Sequence, residues 1–295
     1  MSTSRIAAAT RVHGSRRRLT MALIACVAAP VGLIAVHSAT VSAAVVAKVN
    51  LATAGNYSVL GSQSVTNTGP SILAKSLGVS PGTSITGFPP GIVLAPGVTD
   101  NNNPASALGR ADLTAAYIDA AGRPLNGITP ADLGGQVLQP GVYATSSKGA
   151  LGLTGTLTLD GAGNKGSVFI FQTDSELVTA SSSVVQLING AQECNIFWQI
   201  GSSATLGTNS TFVGNILALT SVFVNTNVLV HGRALARNAS VTLDDDVFTS
   251  PTCAPQTIPG AGSGSAQDTE LLIASLLIAT GVSAAFIARR RRIIL

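Results

Sequence analysis

Ala204 to Asp246 reads ATLGTNSTFVGNILALTSVFVNTNVLVHGRALARNASVTLDDD, and the fold is decided there. Offset against itself by 18 residues, the stretch lays Gly214 on Gly232, Leu217 on Leu235, Ala218 on Ala236 and Val222 on Ser240. One step back, Phe197 meets Asn215 and Leu206 meets Val224. Within each copy, runs such as Thr211-Phe212-Val213 and Ser221-Val222-Phe223-Val224 alternate apolar with small or polar residues. Period-2 runs this short, broken by Gly and Asn and repeated at a fixed interval, predict the rungs of a β-solenoid. About three short strands make each turn, and the coil buries its core by stacking one rung on the next.

Composition agrees. Only 10% of residues are charged and 4% are aromatic, while glycine is plentiful, as a stacked β-structure with tight turns requires. The basic pI of about 9.3 belongs to the chain ends. Arg5, Arg11, Arg16, Arg17 and Arg18 precede the first apolar run, and Arg289 to Arg292 close the chain. Of 17 basic residues, 8 are left between Ala44 and Glu270 to face all 13 acidic ones. That net negative charge removes the electrostatic basis for nucleic-acid binding.

Residues 1–43 read as a signal peptide: a basic start at Arg16 to Arg18, an apolar stretch from Leu19 to Val36, and the small-residue exit Val41-Ser42-Ala43. An uncleaved anchor is the alternative, and either way residues 44–254 are expected to be exported. Strand-like pieces then alternate with Gly, Pro and Asn turns: Tyr57 to Leu60, Ser64 to Asn67, and Ser84 to Thr86. Asn103-Pro104 marks a helix start, and Leu108, Ala111, Ala115 and Ile118 at helical spacing predict an apolar stripe on a helix ending at Gly122. Strands resume at Leu133 to Leu138, Gly141 to Ala144, Leu151 to Leu159, Val168 to Gln172 and Ser183 to Ile188. Phe169-Ile170-Phe171-Gln172 is echoed 27 residues later by Ile196-Phe197-Trp198-Gln199, which reads as core stack.

Enzyme signatures are thin. His231 is the only histidine after residue 43, so no histidine metal cluster can form. Asp244-Asp245-Asp246 is the one acidic cluster, and on a strand consecutive residues point to alternate faces. It reads as a solvated strand end. No phosphate loop or nucleophile elbow is present, so no enzyme, cofactor or small-molecule substrate is expected. Cys194 and Cys253 remain in the exported part, and an even pair in an oxidising compartment favours a disulfide that ties the tail back to the coil and blunts its open end. Two free buried thiols are the alternative.

After Cys253 the chain becomes a Gly/Ser/Pro-rich linker, residues 255–270. Residues 271–288 are 18 uncharged, mostly apolar residues, about 27 Å as a helix, which is enough to cross a bilayer core. Arg289 to Arg292, within the basic tail 289–295, would then lie in the cytoplasm. Ile258-Pro259-Gly260-Ala261-Gly262 resembles a degenerate sortase signal, so wall attachment is a second route to the same cell-surface location.

The blocks LATAGNYSVLGSQSVTNTGPS, LGVSPGTSITGFPPG, ADLGGQVLQPGVY, LINGAQECNIFWQIGSSATLG and FVGNILALTSV resemble the microbial ice-binding (antifreeze) protein family, from about Val49 to Val247. The resemblance implies a mainly β fold: a right-handed, discontinuous β-solenoid of triangular section with one long α-helix alongside. It also implies function without chemistry, a flat face adsorbing to ice. The family's Thr-(Ala/Gly)-x-(Thr/Asn) pattern is only partly kept, in Thr179-Ala180-Ser181-Ser182, Thr205-Leu206-Gly207-Thr208 and Thr226-Asn227-Val228-Leu229. The expected face residues are Thr156, Thr158, Thr179, Ser181, Thr205, Thr208, Thr226 and Thr242. Thr53-Ala54-Gly55-Asn56 fits the letters but lies in the N-terminal block, where no ice face is expected. The departures keep open a second reading, a structural or adhesive surface solenoid without ice activity.

Overall fold

The computed structural model describes residues 46–254. The signal segment, the linker, the membrane-spanning helix and the basic tail expected from sequence lie outside the described residues. Among the described residues no helix is long and apolar enough to cross a membrane.

The fold is a parallel-stranded coil with three strand ladders per turn and one long helix alongside. The 18-residue offset is the physical register: Gly214 pairs with Gly232, Leu217 with Leu235, Ala218 with Ala236, Phe197 with Asn215 and Leu206 with Val224. The echo between Phe169 and Ile196 is a strand pair as well. Val222 departs, pairing with Val241 and not Ser240, because the corner Arg237–Ser240 holds one residue more than Leu219–Ser221. Two other expectations shrink. Leu133 to Leu138 keeps only Val137–Leu138 as strand, and Leu151 to Leu159 breaks into Leu151–Leu153 and Thr156–Asp160. The break falls at Gly155, whose φ of +79° turns the chain around a corner.

One ladder, the flank, runs through Ile92–Val93, Ile72–Leu73, Val247–Thr249, the first halves of Leu229–Ala236 and Thr211–Ala218, then Val184–Ile188, Thr156–Asp160 and Val137–Leu138. The second runs through Thr99–Asn101, Ser76–Val79, Tyr57–Gly61, the second halves of those two long strands, Ile196–Ile200, Phe169–Thr173, Gly141–Ala144 and Gly127–Ile128. The two join into one 15-stranded sheet because the long strands bend at Gly214 and Gly232. A Cβ on Gly232 would lie 1.8 Å from the Gly214 carbonyl oxygen, so the bend needs glycine. The third ladder is a separate seven-stranded sheet.

Stacking order is not chain order. The strand Val247–Thr249 is followed in the stack by Ile72–Leu73, and Val241–Asp244 by Ser64–Thr68. The N-terminal rungs therefore cap the C-terminal one, and the free ends of the coil are the rungs at residues 84–101 and 127–138. Inside, Tyr143, Phe171 and Trp198 stack in sequence, with Phe171 and Trp198 centroids 4.1 Å apart, and Phe212 packs tilted against Trp198.

Helix α1, Pro104–Gly122, leaves one free end and arrives at the other. Asn103 caps it as expected, with Ser106 completing a reciprocal capping box. Its buried face is not the expected one. Leu108, Ala111, Ala115 and Ile118 face solvent, whereas Ser106, Gly109, Leu113, Ala116, Tyr117 and Ala120 are buried. Small residues win because they let the helix axis approach the coil: a Cβ on Gly109 would sit 2.7 Å from Tyr57 Cε2. Polar pins complete the contact. Gln199 Nε2 donates to the Tyr117 hydroxyl, and Gln172 Nε2 donates to the Ala120 and Arg123 carbonyls, which the helix end leaves unpaired.

Cys194 and Cys253 are bonded. The bond does not blunt an open end. Cys194 precedes the strand Ile196–Ile200 in mid-stack, so the bond fastens the chain after the last rung to the middle of the coil. The end it was expected to close is closed by the N-terminal rungs instead.

Candidate functional site

The helix covers the second ladder, which leaves the flank and the seven-stranded sheet open. That sheet runs in the order Leu151–Leu153, Leu177–Thr179, Ala204–Leu206, Val222–Val224, Val241–Asp244, Ser64–Thr68 and Ser84–Thr86. Its outward residues in register are Gly152, Val178, Thr205, Phe223, Thr242, Thr66 and Thr86. Two positions earlier on the last five rungs stand Ser203, Ser221, Ser240, Ser64 and Ser84.

A tripeptide thus recurs on five adjacent rungs: Ser203-Ala204-Thr205, Ser221-Val222-Phe223, Ser240-Val241-Thr242, Ser64-Val65-Thr66 and Ser84-Ile85-Thr86. The middle residue points into the core and the third points out, because side chains alternate along a strand; Ser64 and Ser84 open their strands, and Ser203, Ser221 and Ser240 stand at the corner just before theirs. Rungs lie about 4.7–4.9 Å apart and alternate residues about 6.6–6.8 Å apart along the strand, so the backbone sets these side chains out on a regular grid. Phe223, 41% exposed, is the one break in the threonine column of those five rungs.

The array fixes the positions of the expected residues. Thr205 and Thr242 are in its threonine column. Ser181, Thr208 and Thr226 sit on its rim, at the turns leading to the flank. Each of those turns contains a left-handed residue (Ser182, Asn209, Asn227 and, one rung further, Asp245) with φ between 59° and 61°. Asn227 Nδ2 donates to Asn209 Oδ1, and the Thr226 hydroxyl donates to Asp244. Thr156 and Thr158 lie on the flank, a different face. Thr179 is turned inward and buried, where its hydroxyl accepts the Gly207 N–H at 2.9 Å, so it cannot meet a surface. Thr66 and Thr86 join the grid although no ice face is expected in the N-terminal block. The strands of that block extend this sheet, and the recurring Ser-apolar-Thr letters are the signal that could have found them. Thr53 is elsewhere, its amide and hydroxyl both bound to Asp112.

The flank carries a different surface. Its outward row is Thr156, Val184, Thr211, Leu229, Val247, Ile72 and Ile92, mostly aliphatic.

The acidic run separates at the end of the strand Val241–Asp244, where Asp245 takes a left-handed turn. Asp245 is exposed at the turn, while Asp246 is fully buried and accepts the Val228 and Asp244 N–H groups. Burial, with Asp244 and Asp245 nearby, pushes its carboxyl up to about 7. This is a structural carboxyl and not a solvated strand end. Among the described residues no group of three or more His, Cys, Asp or Glu side chains could hold a metal.

The family profile described as Ice-binding-like matches residues 59–249, which take in the whole hydroxyl sheet. The chain belongs to that family. An ice-binding protein of Nostoc sp. (strain HG1) is 50% identical over 196 residues, covering 66% of this chain and 71% of that one. The crystal structure of an ice-binding protein from the Antarctic ascomycete Antarctomyces psychrotrophicus superposes with a TM-score of 0.66 at 38% identity, over 70% of this chain and 99% of that one. An ice-binding protein from an Antarctic biological consortium gives 0.67 at 38% identity, over 72% and 95%. The family is one of ice-binding proteins and not of enzymes.

Proposed function

We propose that this chain binds ice, and that the adsorbing surface is the outward face of the seven-stranded sheet. The observation that carries the reading is the Ser-x-Thr pattern kept on four of five adjacent rungs, with Phe223 in the fifth. Ice presents a repeating lattice and no pocket, so affinity has to come from many weak contacts held in fixed relative positions. Parallel rungs supply that spacing through their backbone. Hydroxyls hold water at lattice-like positions, and the threonine methyls order the water between them. Rigidity follows from the stacked aromatic core, the Cys194–Cys253 bond and the pinned helix, so little conformational freedom is lost on adsorption. The outcome is inhibition of ice growth or recrystallisation, or adhesion of a cell to ice.

A right-handed coil of triangular section completes this reading, as does export by residues 1–43 and cell-surface anchoring through residues 271–288. The support for both terminal segments is their sequence. The described chain begins and ends near one cavity, where Lys48 lies 3.8 Å from the Cys253 sulfur.

The test is ice recrystallisation inhibition by the full chain and by three variants. Thr66→Tyr and Thr242→Tyr place a ring on the grid and are expected to abolish activity, whereas Thr211→Tyr on the flank is expected to keep it. Loss confined to Thr211→Tyr would move the face to the flank. A folded parent with no activity would sink the ice reading in favour of a structural or adhesive solenoid.

A further inference from the structure

Arg233 is 7% exposed and has no carboxylate partner among the described residues. Its side chain points outward from the coil in a row with Asn215 and Phe197, beneath the N-terminal segment. Nε and Nη2 donate to the Gly55 carbonyl at 3.1 and 2.8 Å, and Nη1 donates to Asn215 Oδ1 at 2.5 Å. All these acceptors are neutral. A guanidinium carries five N–H donors, so two remain without an acceptor there.

A cavity of about 510 Å³ opens beside it, lined by Lys48, Asn50, Leu51, Arg233, Cys194 and Cys253 among others, with no acidic residue among the described residues of its wall. Lys48 brings a second positive charge. Burial and the nearby Arg233 charge together pull the Lys48 ammonium below its usual range, and burial pulls Arg233 down to about 10. A buried cation without a counter-charge is costly, and Arg233 in the wall with the exposed Lys48 ammonium at the mouth makes the cavity a site of positive potential.

We propose that this cavity binds a small inorganic oxyanion of the phosphate or sulfate type. The two spare Arg233 N–H groups form the floor of the site, and the Lys48 ammonium closes it at the mouth beside the disulfide. Planar donors on a guanidinium match a tetrahedral oxyanion well. The site is independent of ice adsorption, and its occupant stabilises the fold by binding the native state alone.

The test is calorimetric titration of the full chain with inorganic phosphate at constant ionic strength. The parent is expected to give a saturable single-site heat. Lys48→Met, on the exposed mouth, is expected to weaken binding about tenfold, the loss of one charge-assisted contact of roughly 1.4 kcal/mol. Arg233→Gln is expected to abolish binding, with near-ultraviolet circular dichroism reporting whether it still folds. No saturable heat in the parent, or equal affinity in the parent and Lys48→Met, would overturn the proposal.

Discussion

The Ser64 hydroxyl donates to the Ser240 hydroxyl at 2.8 Å, although 176 residues separate the two. The bond lies on the seam where the first rungs of the chain dock on the last. A double-mutant cycle with Ser64→Ala and Ser240→Ala is expected to give a coupling of about 0.5–1.5 kcal/mol in chemical denaturation. Additive effects would mean that the seam is held by its backbone alone.

Phe223 stands in the threonine column with 41% of its surface exposed. Phe223→Thr completes five uninterrupted Ser-x-Thr rungs. Recrystallisation inhibition is expected to set in at lower protein concentration, with stability changed by no more than about 0.5 kcal/mol, as for an ordinary surface site. Weaker inhibition would show that the ring itself contacts ice.

Gly109 and Gly122 lie in the same helix and should respond with opposite signs. A Cβ on Gly122 meets nothing within 4 Å, so Gly122→Ala is expected to gain a few tenths to about 1 kcal/mol of helix propensity. A Cβ on Gly109 meets the Tyr57 ring at 2.7 Å, and that ring is held by its hydroxyl bond to Asp100 at 2.8 Å. Gly109→Ala is therefore expected to lose about 1–3 kcal/mol despite the better propensity. Thermal denaturation of the pair decides it.

Asp246 ties stability to pH. Its folded pKa of about 7 lies above the ordinary carboxylate value, so between those two pH values the folded state holds a proton the unfolded chain has released. The stabilisation is complete at acid pH and is lost as pH rises through 7. The slope is at most about 1.4 kcal/mol per pH unit. Melting temperature measured from pH 4.5 to 8 is expected to fall in the parent and to flatten in Asp246→Asn. An equal slope in both would assign the dependence to another group.

The repeat is legible in the sequence because register in a parallel stack is sequence offset, so Gly214 and Gly232 align in the letters as they do in the sheet. The Asn103 cap is equally legible, since a helix start is a local event. Stacking order is not. Nothing local to Ser64-Val65-Thr66 says that it will lie beside Ser240-Val241-Thr242, so the N-terminal rungs of the grid escape a reading by motif. The helix face is hidden for a related reason. Counting large apolar residues selects Leu108 and Ile118, but Tyr57 and Leu60 crowd the coil surface so that Gly109 must face it, and the large residues on that stripe are Leu113 and Tyr117. Thr179 fits the family's letters, yet strand alternation turns it inward.

Helix α1 joins the two free ends of the stack, so it acts as a ruler for the coil. Its 19 residues measure about 28 Å at 1.5 Å each, and every rung adds about 4.8 Å to the distance to be bridged. A longer adsorbing face cannot arise by appending repeats at the C-terminus, because the N-terminal rungs already occupy that position. It requires an insertion within the coil matched by about three residues in the helix or its connections. Chain growth in this architecture is thus a coordinated change at two distant places in the sequence, and either insertion alone would leave a strut of the wrong length.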